Sequence, residues 1–430
     1  MKKTRAISRR GFLARSAATA AAAAAGPLIL PSGVLAAPGR PGANDRIVTG
    51  HIGVGGMGRY HLGRMRDHVG AICDVDAEHC SKAAEQVKLN VPLYGDYRRV
   101  LDRKDIDAVF IAAPDHWHGI IAVHACEAGK DVYVEKPASK TVEEGRAMIN
   151  AARRYGRVMQ VGSQGRSQPA SYATCQFIRN GQLGEVKRVE CWHEENWPGG
   201  DPTKFCDPPP HLDWDMWLGP ARWRPYTPEY CHFNFRWMLD FGGGFIRDRG
   251  AHVLSVVSWF LGLDGKGPVR VTATGEPRRE SLWDTPRTMD VTWEFDDPEL
   301  TIVWGQPGKP AAEATFGQVY YGSKDTLVFR GGDGGCGTED KALNYTPPSD
   351  GPYVYKSTDH DMNFMECVKT REKPIMDIEA GHSVATMCIL ANMSYRLGRP
   401  IQWDAKAERC VGDEQANRML SNPGRGPWHL

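Results

Sequence analysis

The sequence predicts an α/β fold followed by an α+β one: a doubly wound parallel sheet near the amino terminus, then a domain with a large, open, mainly antiparallel β-sheet. Three observations predict it. Strand and helix signals alternate up to about residue 162. A glycine run, Gly53-Val54-Gly55-Gly56-Met57-Gly58, sits where the first strand gives way to the first helix. Beyond Ser167, short β-rich runs parted by turn residues take over. The chain divides into residues 1–36 (targeting segment), 37–44 (Pro/Gly linker), 45–165 (first domain), 166–398 (second domain) and 399–430 (a tail packed on the body).

Lys2, Lys3, Arg5, Arg9 and Arg10 precede an Ala-dominated run from Ala17 to Ala25, and Val34-Leu35-Ala36 offers a small-residue cleavage site. Within this segment Ser8-Arg9-Arg10-Gly11-Phe12-Leu13 carries the paired arginines of a twin-arginine signal, against an ordinary basic leader as the bland reading. The expected partner is the twin-arginine export machinery, and the expected place is the periplasm or the exterior. Losing residues 1–36 removes six basic side chains and no acids from a chain of net charge +1, leaving about −5. Nucleic acid is thus no expected partner, and no second long apolar run spans a membrane. Eleven cysteines without any C-x-x-C pair read as mostly buried thiols, with one or two disulfides left open.

Ile47 to Ile52 reads as a strand, although Thr49, Gly50 and His51 are less apolar than a buried parallel strand should be. The glycines fit G-x-G-x-x-G and open a helix from Arg59 to Arg66. The next strand, Val69 to Cys73, ends on Asp74, 21 residues after Gly53. Such glycines let the backbone approach a pyrophosphate, the helix N-terminus favours its charge, and an acid at this spacing binds ribose hydroxyls and disfavours a 2′-phosphate. A dinucleotide is implied, with NAD favoured over NADP. Strands follow at Pro92–Tyr94, Ile106–Ala113, Val132–Glu135 and Val158–Val161, with helices at His118–Ala128 and after the capping box Thr141-Val142-Glu143-Glu144. Doubly wound sheets bind ligands beyond the carboxyl ends of their strands. Two such ends are Ala112-Ala113-Pro114-Asp115-His116-Trp117-His118 and Glu135-Lys136-Pro137, so Lys136 faces the ligand side.

In the second domain, Ser171–Asn180 reads as a helix, Glu185–Glu194 as a strand, and 197–244 as a Pro/Trp/Gly-rich stretch of little periodicity. Strands follow at Val269–Gly275, Thr288–Phe295, Leu300–Gly305, Phe316–Gly322 and Thr326–Arg330, then helices at Asp359–Thr370 and Ile378–Leu397. If Ile246 to His252 opens a helix running to Phe260, Asp248 and His252 stand at i and i+4 on one face. The histidine could then move a proton while the aspartate orients it. An N-terminal acid beside a satisfied histidine is the bland alternative. His116 and His118 form an H-x-H, but no carboxylate or cysteine at suitable spacing completes a site, so no metal is expected.

In this order, G-x-G-x-x-G, P-D-H-W-H, E-K-P and D-x-G-x-H resemble the Gfo/Idh/MocA family of NAD(P)-dependent oxidoreductases, and the leader is similar to its exported branch. The likeness extends to Trp214–Pro220, Gly242–Gly244 and Gly412–Asn417. It implies a Rossmann domain in which Gly53, Gly55, Met57, Gly58, Asp74, Ala113, Pro114, His118, Glu135, Lys136 and Gln164 hold the cofactor. It also implies catalysis by Lys136, His252 and Asp248, and substrate contacts from Arg166, Trp192, Asp248 and His252. Many members carry an acid three residues after the motif histidine; this chain has Ser255. A homo-oligomer is expected from the open sheet.

Hydride leaving carbon makes the attached O–H acidic, which calls for a base and nearby positive charge, and a lysine beside a cationic nicotinamide is pushed towards a lower pKa. Seven of the thirteen tryptophans fall between Trp192 and Trp259, among polar residues. Aromatic faces beside directional polar groups suit a carbohydrate, while core filling is the bland reading. The leading expectation is an oxidoreductase acting on a hydroxyl of a sugar, glycoside or cyclitol. A glycosidase or lyase using tightly held NAD is second, and a non-catalytic ligand sensor third.

Overall fold

The computed structural model describes residues 46–202, 204–332 and 335–430. The leader and linker read at residues 1–44 lie outside the described residues. The first sheet has six parallel strands: β1 (Thr49–Ile52), β2 (Val69–Cys73), β3 (Leu93–Tyr94), β4 (Ala108–Ile111), β5 (Asp131–Glu135) and β6 (Met159–Gly162). Their order is β3-β2-β1-β4-β5-β6. Strand order therefore reverses between β1 and β4, and both the glycine turn after β1 and the Ala112–Pro114 turn after β4 open at that switch point.

β1, β4, β5 and β6 are buried along their whole length. His51 is accommodated because its ring stacks on Phe110 at 5.1 Å and its Nε2 lies 3.1 Å from Thr49 Oγ1. Burial lowers its pKa to about 3, which keeps it neutral. The helices of this half are α1 (Gly56–Arg64), α2 (Ala77–Val87), α3 (Asp115–Glu127) and α4 (Val142–Arg154). α1 and α3 each start three residues earlier than the sequence predicts. Pro114 precedes the first turn of α3, where an absent N–H costs nothing. At α4 the capping box closes: Thr141 Oγ1 accepts from Glu144 N, and Glu144 Oε2 accepts from Thr141 N.

The second part comprises α5 (Pro169–Arg179), β7 (Val186–Trp192), α6 (Trp214–Leu218), α7 (Phe245–Asp248) and α8 (Gly250–Leu261). Then come β8 (Arg270–Thr274), β9 (Met289–Asp296), β10 (Glu299–Gln306), β11 (Gly317–Gly322), β12 (Thr326–Arg330) and β13 (Gly337–Thr338). α9 (His360–Thr370), α10 (Ile378–Leu397), β14 (Ile401–Asp404) and β15 (Arg409–Cys410) complete it. The nine strands run β13-β12-β11-β7-β10-β9-β8-β14-β15. All pairings are antiparallel except β7 with β10. Alternating burial along β9 gives the sheet one covered face, and α10 packs there, its Met387 carbonyl accepting from Trp293 Nε1 at 3.0 Å. Ile401 and Gln402 of β14 pair with β8, so the stretch that reads as a tail supplies a strand of the sheet.

Arg166 corrects one expected role. Its side chain is fully buried, forks onto Asp264 at 2.6 and 2.7 Å, and donates to Ser255 Oγ, Ser255 O and Ile375 O. It ties the turn after β6 to α8 instead of facing a substrate, and Ser255 serves as its hydrogen-bond partner. Eight of the eleven cysteines are buried. Among the described residues no helix is long and apolar enough to cross a membrane.

Replacing Arg166 strands several buried acceptors, so Arg166→Met should cost about 3 kcal/mol of unfolding free energy. Urea denaturation followed by circular dichroism checks it, and a change below about 1 kcal/mol would refute the structural role.

Candidate active site

The glycines divide the work at the end of β1. Gly53 has φ +79°, and a Cβ on Gly58 would lie 1.8 Å from the Gly53 carbonyl oxygen, so those two close the turn. A Cβ on Gly55 would meet only the His79 ring, at 3.6 Å, and one on Gly56 would meet nothing. Gly55 and Gly56 therefore leave the N-terminus of α1 bare towards an open cleft. Asp74 is fixed at the end of β2: Oδ2 accepts from Val54 N at 2.8 Å and Oδ1 from Asp76 N at 3.0 Å. The cleft, about 480 Å³, is lined by Gly53, Gly55, Met57, Asp74, Ala113, Pro114, His118, Glu135, Lys136 and Asp248.

His118 joins two strand ends, its Nδ1 lying 2.8 Å from Pro137 O and its Nε2 2.8 Å from Ala113 O. Glu135 is buried at the floor of the cleft. Its carboxylate takes His61 Nε2 and Gln164 Nε2, each at 2.8 Å, and a Cβ on Gly162 would come within 2.6 Å of it. His61 Nδ1 is also 3.1 Å from Asp361, at ion-pair distance but poorly aligned for a hydrogen bond. Burial alone would lower the pKa of His61, but Asp361 and Glu135 outweigh it and raise it to about 9. Burial alone would raise that of Glu135; His61 and Lys136 bring it down to about 2.

Lys136 Nζ donates to Asp248 Oδ1 at 2.7 Å and to the Asp248 carbonyl at 2.9 Å. The second bond exists because the expected continuous helix is not formed. α7 ends at Asp248, α8 starts at Gly250, and His252 N bonds Arg249 O instead of Asp248 O. The carbonyl so released turns to the lysine. Asp248 is also 3.1 Å from Arg236 Nε and 3.7 Å from Arg249 Nε. Burial opposes its ionisation, yet Lys136, Arg236 and Arg249 hold its carboxyl well below the usual range.

Other expected residues stand apart from the cleft lining. Gly58 serves the turn, and Gln164 bonds Glu135 and Tyr133. Trp192 is buried in the sheet, its Nε1 donating to Ala314 O, so it is not positioned to meet a substrate. His252 is 5 % exposed, beside the lining rather than in it. Of the seven clustered tryptophans, Trp217 alone lines the cleft; Trp214, Trp217 and Trp237 pack with Tyr230, Phe241 and Phe245 in an aromatic core of their own. The bland reading of core filling wins for most of them. The lining residues not anticipated include His79, His232, Phe233, Phe235 and Arg236, four of them in one short stretch. Their signal was an arginine and a histidine in an aromatic run.

Residues 47–163 match the NAD-binding Rossmann fold of the Gfo/Idh/MocA oxidoreductase family, and residues 186–430 match its C-terminal alpha/beta domain. The chain belongs to this family. It is 32% identical over 152 residues to inositol 2-dehydrogenase of Pseudomonas fluorescens, covering 34% of this chain and 45% of that one. It is 34% identical over 167 residues to levoglucosan dehydrogenase of Pseudarthrobacter phenanthrenivorans, covering 39% and 36%. The chain thus spans less than half the length of these curated relatives. Its fold is that of the WlbA dehydrogenase from Bordetella pertussis, solved with NADH and UDP-GlcNAcA: TM-score 0.62, 18% identity, 84% of this chain and 99% of that one.

Two outcomes follow from this geometry. Gly55→Ala should keep its melting temperature within about 2 °C while weakening NAD binding roughly tenfold, whereas Gly58→Ala should lose several degrees; calorimetry of both variants checks the contrast. The folded pKa of His61 stands above its unfolded value, so its stabilising proton is fully present below about pH 6.5 and lost as pH climbs through about 9. Glu135 and Asp361, both lowered, stay ionised throughout that range. Wild-type melting temperature should therefore fall across this window more steeply than that of His61→Asn, and equal slopes would refute the assignment.

Proposed function

We propose that the protein is an NAD-dependent oxidoreductase acting on a hydroxyl of a sugar, glycoside or cyclitol. The observation that carries this reading is Lys136 Nζ, delivered by the end of β5 into the glycine-turn cleft and gripped twice by Asp248. The residues present fit the cofactor: Gly55 and Gly56 leave room in front of a bare helix N-terminus for a pyrophosphate, and the Asp74 carboxylate retains lone pairs for ribose hydroxyls. When bound, NAD supplies the hydride acceptor. In the oxidative direction Lys136 Nζ, after giving up a proton, receives the one from the substrate hydroxyl; in the reductive direction its ammonium returns one to the substrate oxygen. Arg236 adds positive charge where negative charge develops on that oxygen. His252, four residues beyond Asp248, is proposed as a second acid–base group. Relatives named for inositol and levoglucosan support the substrate class.

A second reading, cleavage of a glycoside through transient oxidation by retained NAD, is favoured by one feature. The stretch carrying His232 and Arg236 lines the cleft and is fastened on one side to Asp76 and on the other to Asp248. Assay of inositols, anhydrosugars and glycosides with added NAD separates the two. Net NADH supports the first, whereas bond cleavage without net NADH, from protein releasing about one NAD per chain on acid treatment, supports the second. On either reading Lys136→Ala should lower kcat at least ~100-fold with NAD affinity nearly unchanged; full turnover in that variant, or no nucleotide binding by the wild type, would overturn the proposal.

A further inference from the structure

We propose that Asp76, His79 and His232 form a site for a divalent transition-metal ion of the zinc class, fastening the 228–237 stretch to the start of α2. Asp76 N-caps α2 and His79 lies in its first turn, while His232 arrives from a segment 156 residues away. His232 Nε2 stands 2.9 Å from Asp76 Oδ2, and one ligand atom from each of the three residues lies within 4.8 Å of the others. Metal bonds of about 2.0–2.2 Å require ligand–ligand edges of roughly 3.0–3.5 Å, so one edge, at 2.9 Å, is already close to its bonded length. His79 closes the remainder by a shift of about 1 Å. The His232 side chain is 39% exposed and can follow.

The chemistry of the donors selects the ion. Two imidazoles and one carboxylate suit zinc and its first-row neighbours, whereas magnesium and calcium want all-oxygen sites. Two of the three ligands, Asp76 and His79, are also oriented from behind, as metal ligands usually are. Asp76 Oδ1 accepts from Glu78 N at 2.8 Å and lies 3.0 Å from His211 Nδ1. His79 Nδ1 lies 3.3 Å from Asp74 Oδ2, leaving Nε2 as the nitrogen that can take an ion. The rings of His79 and His232 sit 4.3 Å apart, His79 against the Asp74 carboxylate and His232 against that of Asp76, close enough for one cation to bridge the two imidazoles. The same border is already joined by main-chain bonds, Ala77 N to His211 O and Asp213 N to Val75 O. An ion would complete an existing seam. The sequence predicts no metal because the ligands come from distant segments and from no spaced motif.

The test uses the purified full-length chain, stripped with a chelator and dialysed without nucleotide against Zn²⁺, with metal counted by mass spectrometry. About one Zn²⁺ per chain is expected, not displaced by excess Mg²⁺, with affinity at least roughly tenfold weaker in His79→Ala and in His232→Ala. Zn²⁺ should raise the melting temperature of the wild type and not of the folded His232→Ala variant. No saturable Zn²⁺ on the wild type, or equal binding by both variants, overturns the site. Because nucleotide is absent, either result stands apart from the proposed oxidoreductase function.

Discussion

An ammonium group at the mouth of a cleft is useful only if it is held still, and the grip of Asp248 on Lys136 is the contact around which both sheets are arranged. The two side chains are 12% and 11% exposed, so both charges are largely out of water. Such burial costs several kcal/mol per ion unless geometry and extra hydrogen bonds offset it. Here the lysine has two oxygens at 2.7 and 2.9 Å, and the aspartate has Arg236 besides. One partner leaves a parallel strand and the other ends a short helix 112 residues later. The pair therefore sets the cofactor sheet and the second domain in register at the point where chemistry would occur.

A second layer of charge supports the first. Asp361, His61 and Glu135 run beneath the strand end, and Glu135 Oε2 lies 3.2 Å from the Lys136 amide. Gly162 is what lets the carboxylate fit, since any side chain there would occupy its place. Asp361 comes from α9, at the far end of the sequence, so the lysine's footing draws on three regions of the chain.

The first sheet was legible nearly strand by strand, because alternation, glycines and the Thr141 capping box are local signals that tertiary packing did not override. The charged ends of β2 and β5 could be read for the same reason. What escaped reading was set by long-range contact. His51 looks wrong for a buried strand until Phe110 and Thr49 are beside it. Arg166 looks like a ligand-binding cation until Asp264 meets it in the core. The helix through Asp248 is interrupted at Arg249, which leaves the Asp248 carbonyl to Lys136, a long-range contact that no helical periodicity encodes. The tryptophans read as a carbohydrate platform because composition cannot tell a wall from a core, and most of them are core.

The thiols carry a consequence for where such a chain can function. Burial pushes Cys126, Cys175 and Cys388 up to about 12, so they hold their protons and lack the thiolate that disulfide exchange requires. Cys206 is the one exposed cysteine, with Cys231 and Cys336 partly so. Once folded, the thiols of Cys126, Cys175 and Cys388 would be in the same chemical state in an oxidising compartment as in a reducing one.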